Sequence, residues 1–282
     1  MPTSNFLFGT VGSPMSTPKN PGGSVGAILR SAELGLHTLE LGWVRSINVT
    51  EKTCAAIQAQ GIESKVALSV HATYFFNLNA TSEEWPKSRK RLMDACHSGR
   101  LAGATDIIFH PGSYFQQPPA EVAKVTLPRL RDFMKELRDN GNPVTLRPET
   151  MGKSAMLGSF DDVLEMCAEV EGVQPCIDFA HLHARPGDGS VNSYAEWDAL
   201  LKKLKRKLGA SALKTMHIHL SGIEYGPKGE KQHLTFAKGD LKYKDLLRAL
   251  ADHKCAGRIL CESPIMEDDA VMLKKTWNKI QK

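Results

Sequence analysis

The sequence predicts an α/β protein with a single domain, residues 1–282, folded as a (β/α)8 barrel of the TIM type. Three observations predict it. Short apolar runs alternate with amphipathic segments from end to end. Glycines recur where the amphipathic segments stop. Polar, metal-capable residues stand where successive apolar runs end.

The runs cover residues 6–10, 38–44, 66–71, 106–110, 144–147, 175–179, 215–220 and 258–261. Each is short and nearly continuous in apolar residues, as suits a parallel strand buried on both faces. The intervening segments carry helical spacing. Leu130, Phe133, Met134 and Leu137 form one stripe, and Leu200, Leu201, Leu204 and Leu208 form another with lysines on the far face. Thr81 with Glu84, Ser159 with Asp162, and Ser193 with Glu196 read as capping boxes. Pro128 kinks its helix or begins it. Gly35, Gly61, Gly103, Gly141, Gly172, Gly209 and Gly257 each follow a helical pattern, where a left-handed residue without a Cβ ends a helix cheaply. Eight strand–helix units can close into a barrel. The open doubly wound sheet is disfavoured, because no G-x-G-x-x-G follows the first strand.

A chain that is 41% hydrophobic and 24% charged has the composition of a folded globular protein rather than a disordered one. No apolar run approaches the ~20 residues of a membrane helix, so no membrane partner is expected. Residues 1–12 lack the charged start and apolar stretch of a signal peptide. A cytoplasmic, or at least intracellular, location is therefore expected. The net charge of +5 is compatible with a phosphate-rich partner but identifies none. Cysteines 54, 96, 167, 176, 255 and 261 include no C-x-x-C pair. They read as reduced core residues, not as disulfides or a thiolate metal site.

The chemistry lies at the strand ends. Strand three ends in Ser-Val-His71, strand four in Phe-His110-Pro-Gly, and strand five in Arg-Pro-Glu149-Thr. Strand six ends in Ile-Asp178-Phe-Ala-His181, strand seven in His217-Ile-His219, and strand eight in Leu-Cys-Glu262-Ser-Pro. His233 lies in the long loop after strand seven. A lone strand-end histidine is usually a hydrogen-bonded packing residue, and a lone glutamate an ion-pair partner. Barrel closure changes that reading by bringing all of them to one mouth. Three buried carboxylates with several histidines would be costly without compensating cations. Mixed imidazole and carboxylate donors suit Zn, Mn or Fe, whereas Mg and Ca prefer oxygen alone. The donors exceed what one ion needs, so a carboxylate bridging two ions is expected. Two ions ~3.5–4 Å apart suit in-line displacement at phosphorus, one holding the attacking hydroxide and the other the leaving oxygen.

At these residues the sequence resembles the endonuclease IV family. The matching segments are Ser69-Val-His71-Ala-Thr-Tyr74-Phe-Phe-Asn77-Leu78, Phe109-His110-Pro111-Gly112-Ser113, Pro148-Glu149-Thr150, Ile177-Asp178-Phe-Ala-His181, His219-Leu220, the loop around His233, and Glu262-Ser-Pro264. The resemblance spans the chain in order. It implies an apurinic/apyrimidinic endonuclease that cuts double-stranded DNA 5′ to an abasic deoxyribose, leaving a 3′-hydroxyl, with a trinuclear zinc site. By that resemblance His71 and His110 bind the first zinc and Glu149 bridges it to the second. Asp178, His219 and Glu262 complete the second, and His181 and His233 bind the third. Glu149 and Glu262 are the catalytic candidates, Glu262 orienting or deprotonating the attacking water.

The family pattern has an aspartate two residues before the histidine matching His233, where this chain has Lys231. Two tightly held zinc ions are therefore expected. The third site is weak, empty or completed by Glu230, and Lys231 supplies charge to the phosphate instead. Tyr74 and Arg45 are weaker candidates for DNA or phosphate contact, beside the plain alternatives of covering the mouth and forming an ion pair. His183 and His217 read either as partners behind the ligands or as packing residues. The basic run of Lys202, Lys203, Lys205, Arg206 and Lys207 reads as a solvated helix face. The alternative functions are a mononuclear sugar isomerase or epimerase using Glu149, Asp178, His219 and Glu262, and a damaged-DNA binder with weakened catalysis. The sequence points to no protein partner.

Overall fold

Every apolar run becomes a strand whose residues alternate between two burial environments. In the computed structural model, which describes residues 6–282, eight strands and eight flanking helices follow one another. The reading of residues 1–12 as lacking a leader thus falls partly on 1–5, outside the described residues. The strands are β1 (Phe6–Val11), β2 (Thr38–Gly42), β3 (Ala67–His71), β4 (Ala104–Phe109), β5 (Thr145–Pro148), β6 (Cys176–Asp178), β7 (Met216–Leu220) and β8 (Gly257–Cys261). The helices are α1 (Gly23–Glu33), α2 (Glu51–Ser64), α3 (Trp85–Leu101), α4 (Pro119–Asp139), α5 (Phe160–Glu169), α6 (Tyr194–Leu208), α7 (Tyr243–Asp252) and α8 (Glu267–Ile280). All strand pairs are parallel, in the order β5-β4-β3-β2-β1-β8-β7-β6. Bridges between Leu146 and Val173 and between Glu149 and Cys176 nearly close the seam. The predicted (β/α)8 barrel is the fold.

Alternation sorts the strand residues into two sets. One set packs outward on the helices: Leu39 and Leu41, Leu68 and Val70, Ile107 and Phe109, Ile218 and Leu220 are buried in the helix–sheet core. The predicted stripe Leu130, Phe133, Met134 and Leu137 on α4 is buried against it. The opposite set faces the axis and is largely polar. Asp106, Arg147 and Arg258 meet as one ion-paired cluster, Glu40, Ser69 and His217 as a second, and His71, Glu149, Asp178 and His219 lie toward the C-terminal ends of their strands. Branched aliphatic residues usually fill such a barrel, so this interior is unusually rich in charge.

The local stops differ in part from the expectation. Gly35, Gly103, Gly141, Gly172 and Gly209 have positive φ after helices, as predicted. Gly61 instead lies inside α2, where a Cβ would come 3.0 Å from Leu68, and Lys65 takes the left-handed cap. Gly257 opens β8, and Lys254 is the left-handed residue after α7. Ser159 and Asp162 form the predicted capping box. Thr81 caps a turn before α3, which starts only at Trp85. The helix α4 runs through Pro128 rather than beginning there. All six cysteines are free. No helix among the described residues is long and apolar enough to cross a membrane.

Candidate metal centre

The C-terminal ends of β3 to β8 deliver their polar residues to one cavity of about 430 Å³, lined by Val11, Tyr74, His110, Glu149, Met151, His181, Glu230, His233 and Glu262. Glu149 is the hub. His71 Nε2 lies 3.2 Å and His110 Nε2 3.4 Å from one of its oxygens. His181 Nδ1 and His219 Nδ1 lie 3.4 and 3.3 Å from the other. Burial alone would raise its pKa, but the charge of His219 and the close imidazoles of His110, His181 and His219 hold it well below the usual carboxylate range. Glu262 moves the other way, raised by burial despite His219 and His233. Two neighbouring carboxylates are thus pushed apart in acidity, as suits groups with different roles.

The imidazoles are aimed by what holds their other nitrogen. His71 donates from Nδ1 to the Ala72 carbonyl at 2.8 Å, His181 to the Thr150 carbonyl at 2.9 Å, and His233 to the Glu262 carbonyl at 3.2 Å. A carbonyl only accepts, so each Nδ1 carries a proton, and the neutral imidazole keeps its lone pair on Nε2. Those three Nε2 atoms face the cavity. The Nε2 atoms of His181 and His233 stand 3.2 Å apart. Asp178 caps the short helix Phe179–Ala184 through the His181 N–H at 2.7 Å, and its second oxygen is buried without a partner. Such an orphan costs about 1–3 kcal/mol unless something satisfies it.

Three convergent donor groups result, each with its ligand atoms within 4.8 Å of one another: His71, His110 and Glu149; Glu149, Asp178, His219 and Glu262; and Asp178, His181, His233 and Glu262. Glu149, Asp178 and Glu262 belong to two groups each, which is the arrangement bridging carboxylates give. The donors, their fixed tautomers and the orphaned Asp178 oxygen fit divalent ions. A fourth group, Cys176 with His217 and His219, lies deeper. Burial pushes the Cys176 thiol upward, against the thiolate a metal needs.

The structure brings together His71, His110, Glu149, Asp178, His181, His219, His233 and Glu262. Lys231 is a correction. It is exposed, pairs with Glu224 at 3.2 Å, and does not line the cavity. The reason is a register shift in the hairpin of Gly222–Gly226 and Gly229–Leu234: Glu224 faces Gln232 but Tyr225 faces Glu230. Residue 231 is the extra residue of a bulge, and a bulge re-aims its neighbours. Glu230 therefore shares a face with His233 and reaches His181 Nε2 at 3.5 Å. Gly152 makes room for it, since a Cβ there would come 2.8 Å from Glu230 and 3.0 Å from His181. Of the alternatives for the third group, weak, empty or completed by Glu230, the geometry favours the last, with the Glu230 carboxylate near both His181 and His233.

Arg45 is exposed in the loop after β2 and does not line the cavity. Tyr74 stands at the mouth, half-exposed, its ring stacked on His110 with centroids 4.9 Å apart. His183 is a packing residue, held by the Ser190 carbonyl and by Asp240. His217 sits in the barrel axis against Glu40. Glu40 was not singled out in the sequence, although a glutamate in the middle of an apolar barrel strand was the available signal.

The fold and the donor cluster together define a barrel with a candidate metal centre at the C-terminal ends of its strands. The family model described as xylose isomerase-like TIM barrel matches residues 28–279, and the chain belongs to that family. It is 37% identical over 280 residues to the uncharacterized protein MJ0133 of Methanocaldococcus jannaschii, covering 98% of each chain. It is 28% identical over 213 residues to the endonuclease 4 of Thermus thermophilus, covering 74% of each. Among solved structures it matches a D-tagatose 3-epimerase-like protein with a TM-score of 0.70 at 17% identity, over 91% of this chain and 94% of that one.

Proposed function

We propose that this protein is a metal-dependent phosphodiesterase of the endonuclease IV type, cleaving double-stranded DNA 5′ to abasic sites with two or three zinc ions, or Mn or Fe in their place. The observation that carries the reading is the donor count. Glu149, Asp178, His219 and Glu262 already make a full mononuclear set, yet His71, His110, His181, Glu230 and His233 converge on the same cavity. An isomerase needs no such surplus, whereas phosphoryl transfer uses it to hold both the entering and the leaving oxygen. The 28% identity with an endonuclease 4 supports the same reading.

Bound ions would supply Lewis acidity toward the phosphoryl oxygens and make water a nucleophile at neutral pH. The chain's own residues do the rest. The backbone carbonyls of Ala72, Thr150 and Glu262 orient three imidazoles. Glu149, buried and anionic, holds the centre of the cluster together. Glu262, shifted upward and on the cavity wall, takes and returns a proton at its carboxylate. Tyr74 closes the mouth over His110 and offers an aromatic face to an unstacked base step.

The test is metal analysis of the purified protein alongside cleavage of a duplex holding one abasic site. Two or more ions per chain with 5′ incision is the expected result. A single ion with no incision, and exchange of a ketose substrate instead, would establish the epimerase reading that the D-tagatose 3-epimerase-like match keeps in play. The third reading, a binder with weakened catalysis, rested on Lys231 and loses its motive.

Two further outcomes are expected. Glu230→Gln loosens one ion by about tenfold or more, while Lys231→Ala leaves metal content unchanged; loss of an ion from the lysine variant alone would reverse the assignment. Tyr74→Ala weakens binding to an abasic duplex more than to an intact one. The salt dependence set by phosphate contacts stays the same. Equal weakening on both duplexes, read by fluorescence anisotropy, would remove Tyr74 from lesion recognition.

A further inference from the structure

One imidazole in the cluster is held differently from its neighbours. The Nδ1 atoms of His71, His181 and His233 are tied to backbone carbonyls, and their Nε2 atoms face the cavity. His219 is reversed. Its Nδ1 faces Glu149 and Glu262, at 3.3 and 3.5 Å, and its Nε2 points down the barrel axis. No carbonyl meets that nitrogen. Glu40 does: its Oε1 lies 3.0 Å from His219 Nε2, close but off the line of a well-formed bond, so that both atoms remain short of a partner. The other oxygen, Oε2, is fixed. It accepts from His217 Nε2 at 2.9 Å and from the Ser69 hydroxyl at 2.8 Å.

Glu40 is wholly buried and lies one layer beneath the cavity. A buried carboxylate facing the remote nitrogen of an imidazole fixes which nitrogen carries the proton and raises the basicity of the other. Here the fixed proton belongs on Nε2, which leaves the Nδ1 lone pair toward Glu149, Glu262 and Asp178. Ser69 and His217 keep the carboxylate from turning away.

We propose that Glu40, braced by His217 and Ser69, is a positioning residue that locks His219 in the Nε2–H tautomer and so tunes the ion held between Glu149, Asp178 and Glu262. The assignment rests on the metal-centre reading above. It is aimed at one donor group, because among the metal-facing imidazoles only His219 comes within ion-pair distance of Glu40.

The experiment uses histidine-labelled protein and two variants, Glu40→Gln and Glu40→Asp. Imidazole nitrogen shifts of the metal-free protein report the His219 tautomer, and zinc titration against a competing chelator reports each affinity. In Glu40→Gln the amide can donate where the carboxylate accepted. His219 is then expected to move to the Nδ1–H form, and one ion to loosen by about 10–100-fold, while the His71–His110 ion is unchanged. Glu40→Asp keeps the acceptor and is expected to retain the Nε2–H form and much of the affinity. Unmodified protein that binds zinc, with a Glu40→Gln variant showing the same tautomer and affinities, overturns the proposal alone. Equal loosening of every ion together with a lowered melting temperature also overturns it, by reducing Glu40 to a packing role. Failure of the unmodified protein to bind zinc at all removes the metal centre and the proposal with it.

Discussion

Glu149→Gln is expected to lower incision of an abasic duplex by at least about a thousandfold, or ~4 kcal/mol of transition-state stabilisation. It should also strip most of the bound metal. The side chain is the meeting point of four imidazoles, with a histidine nitrogen 3.2–3.4 Å from each of its oxygens. Glutamine keeps the volume but offers one weakly basic oxygen and an N–H₂ that donates toward nitrogens whose lone pairs are needed. Two donor groups share this carboxylate, so both should lose affinity together. Far-UV circular dichroism should be unchanged, because the residue faces the cavity and not the helix–sheet core. Full metal content with wild-type turnover in the variant would end the bridging role.

Asp106→Asn is expected to cost about 3–5 kcal/mol of stability, the range for removing one partner of a buried ion pair. Asp106 receives Arg147 Nε at 2.5 Å and Arg258 at 3.1 Å, with Thr105 donating at 2.6 Å. Arg147 also donates to the Pro175 and Thr215 carbonyls at 3.0 and 3.1 Å, tying β4, β5 and the entries to β6 and β7. Neutralising the carboxylate leaves two largely buried guanidiniums facing each other. Burial alone would raise the Asp106 pKa, but Arg147 and Arg258 hold it far below the usual range. A depressed carboxylate gives stability that is complete above its unfolded pKa of ~4 and is lost as pH falls toward the folded value. Urea unfolding should therefore show a weaker acid dependence in Asp106→Asn than in the unmodified protein. Identical curves below pH 4 would show that the pair is not what acid removes.

The barrel was legible because two signals agreed along the chain, apolar runs of strand length and helical stripes such as Leu130 to Leu137. Seven of the eight donors, those at six strand ends, were legible for the same reason: once closure is granted, the end of every strand lies at one mouth. What sequence could not supply was direction. Lys231 and His233 stand two apart, which in a regular strand means the same face, and only the bulge shows that Glu230 takes that place. Glu40 and Arg147 fall within apolar runs, and a period-two pattern does not say whether a charged residue faces the barrel axis or a helix. Arg45 looked like the end of β2, but the strand stops at Gly42 and the side chain is left in solvent.

The bulge at residue 231 also bears on how such hairpins drift. An added residue in a regular strand would turn every later side chain to the opposite face. Here the surplus is absorbed where it arises, and Glu230 and His233 look into the cavity although they stand three positions apart. A column-by-column comparison would score a missing carboxylate, while the three-dimensional donor set is intact. Length changes in this hairpin are therefore silent at the cavity whenever a bulge takes them up. Deleting Lys231 should bring the carboxylate and the imidazole to a two-residue spacing without taking either from the centre.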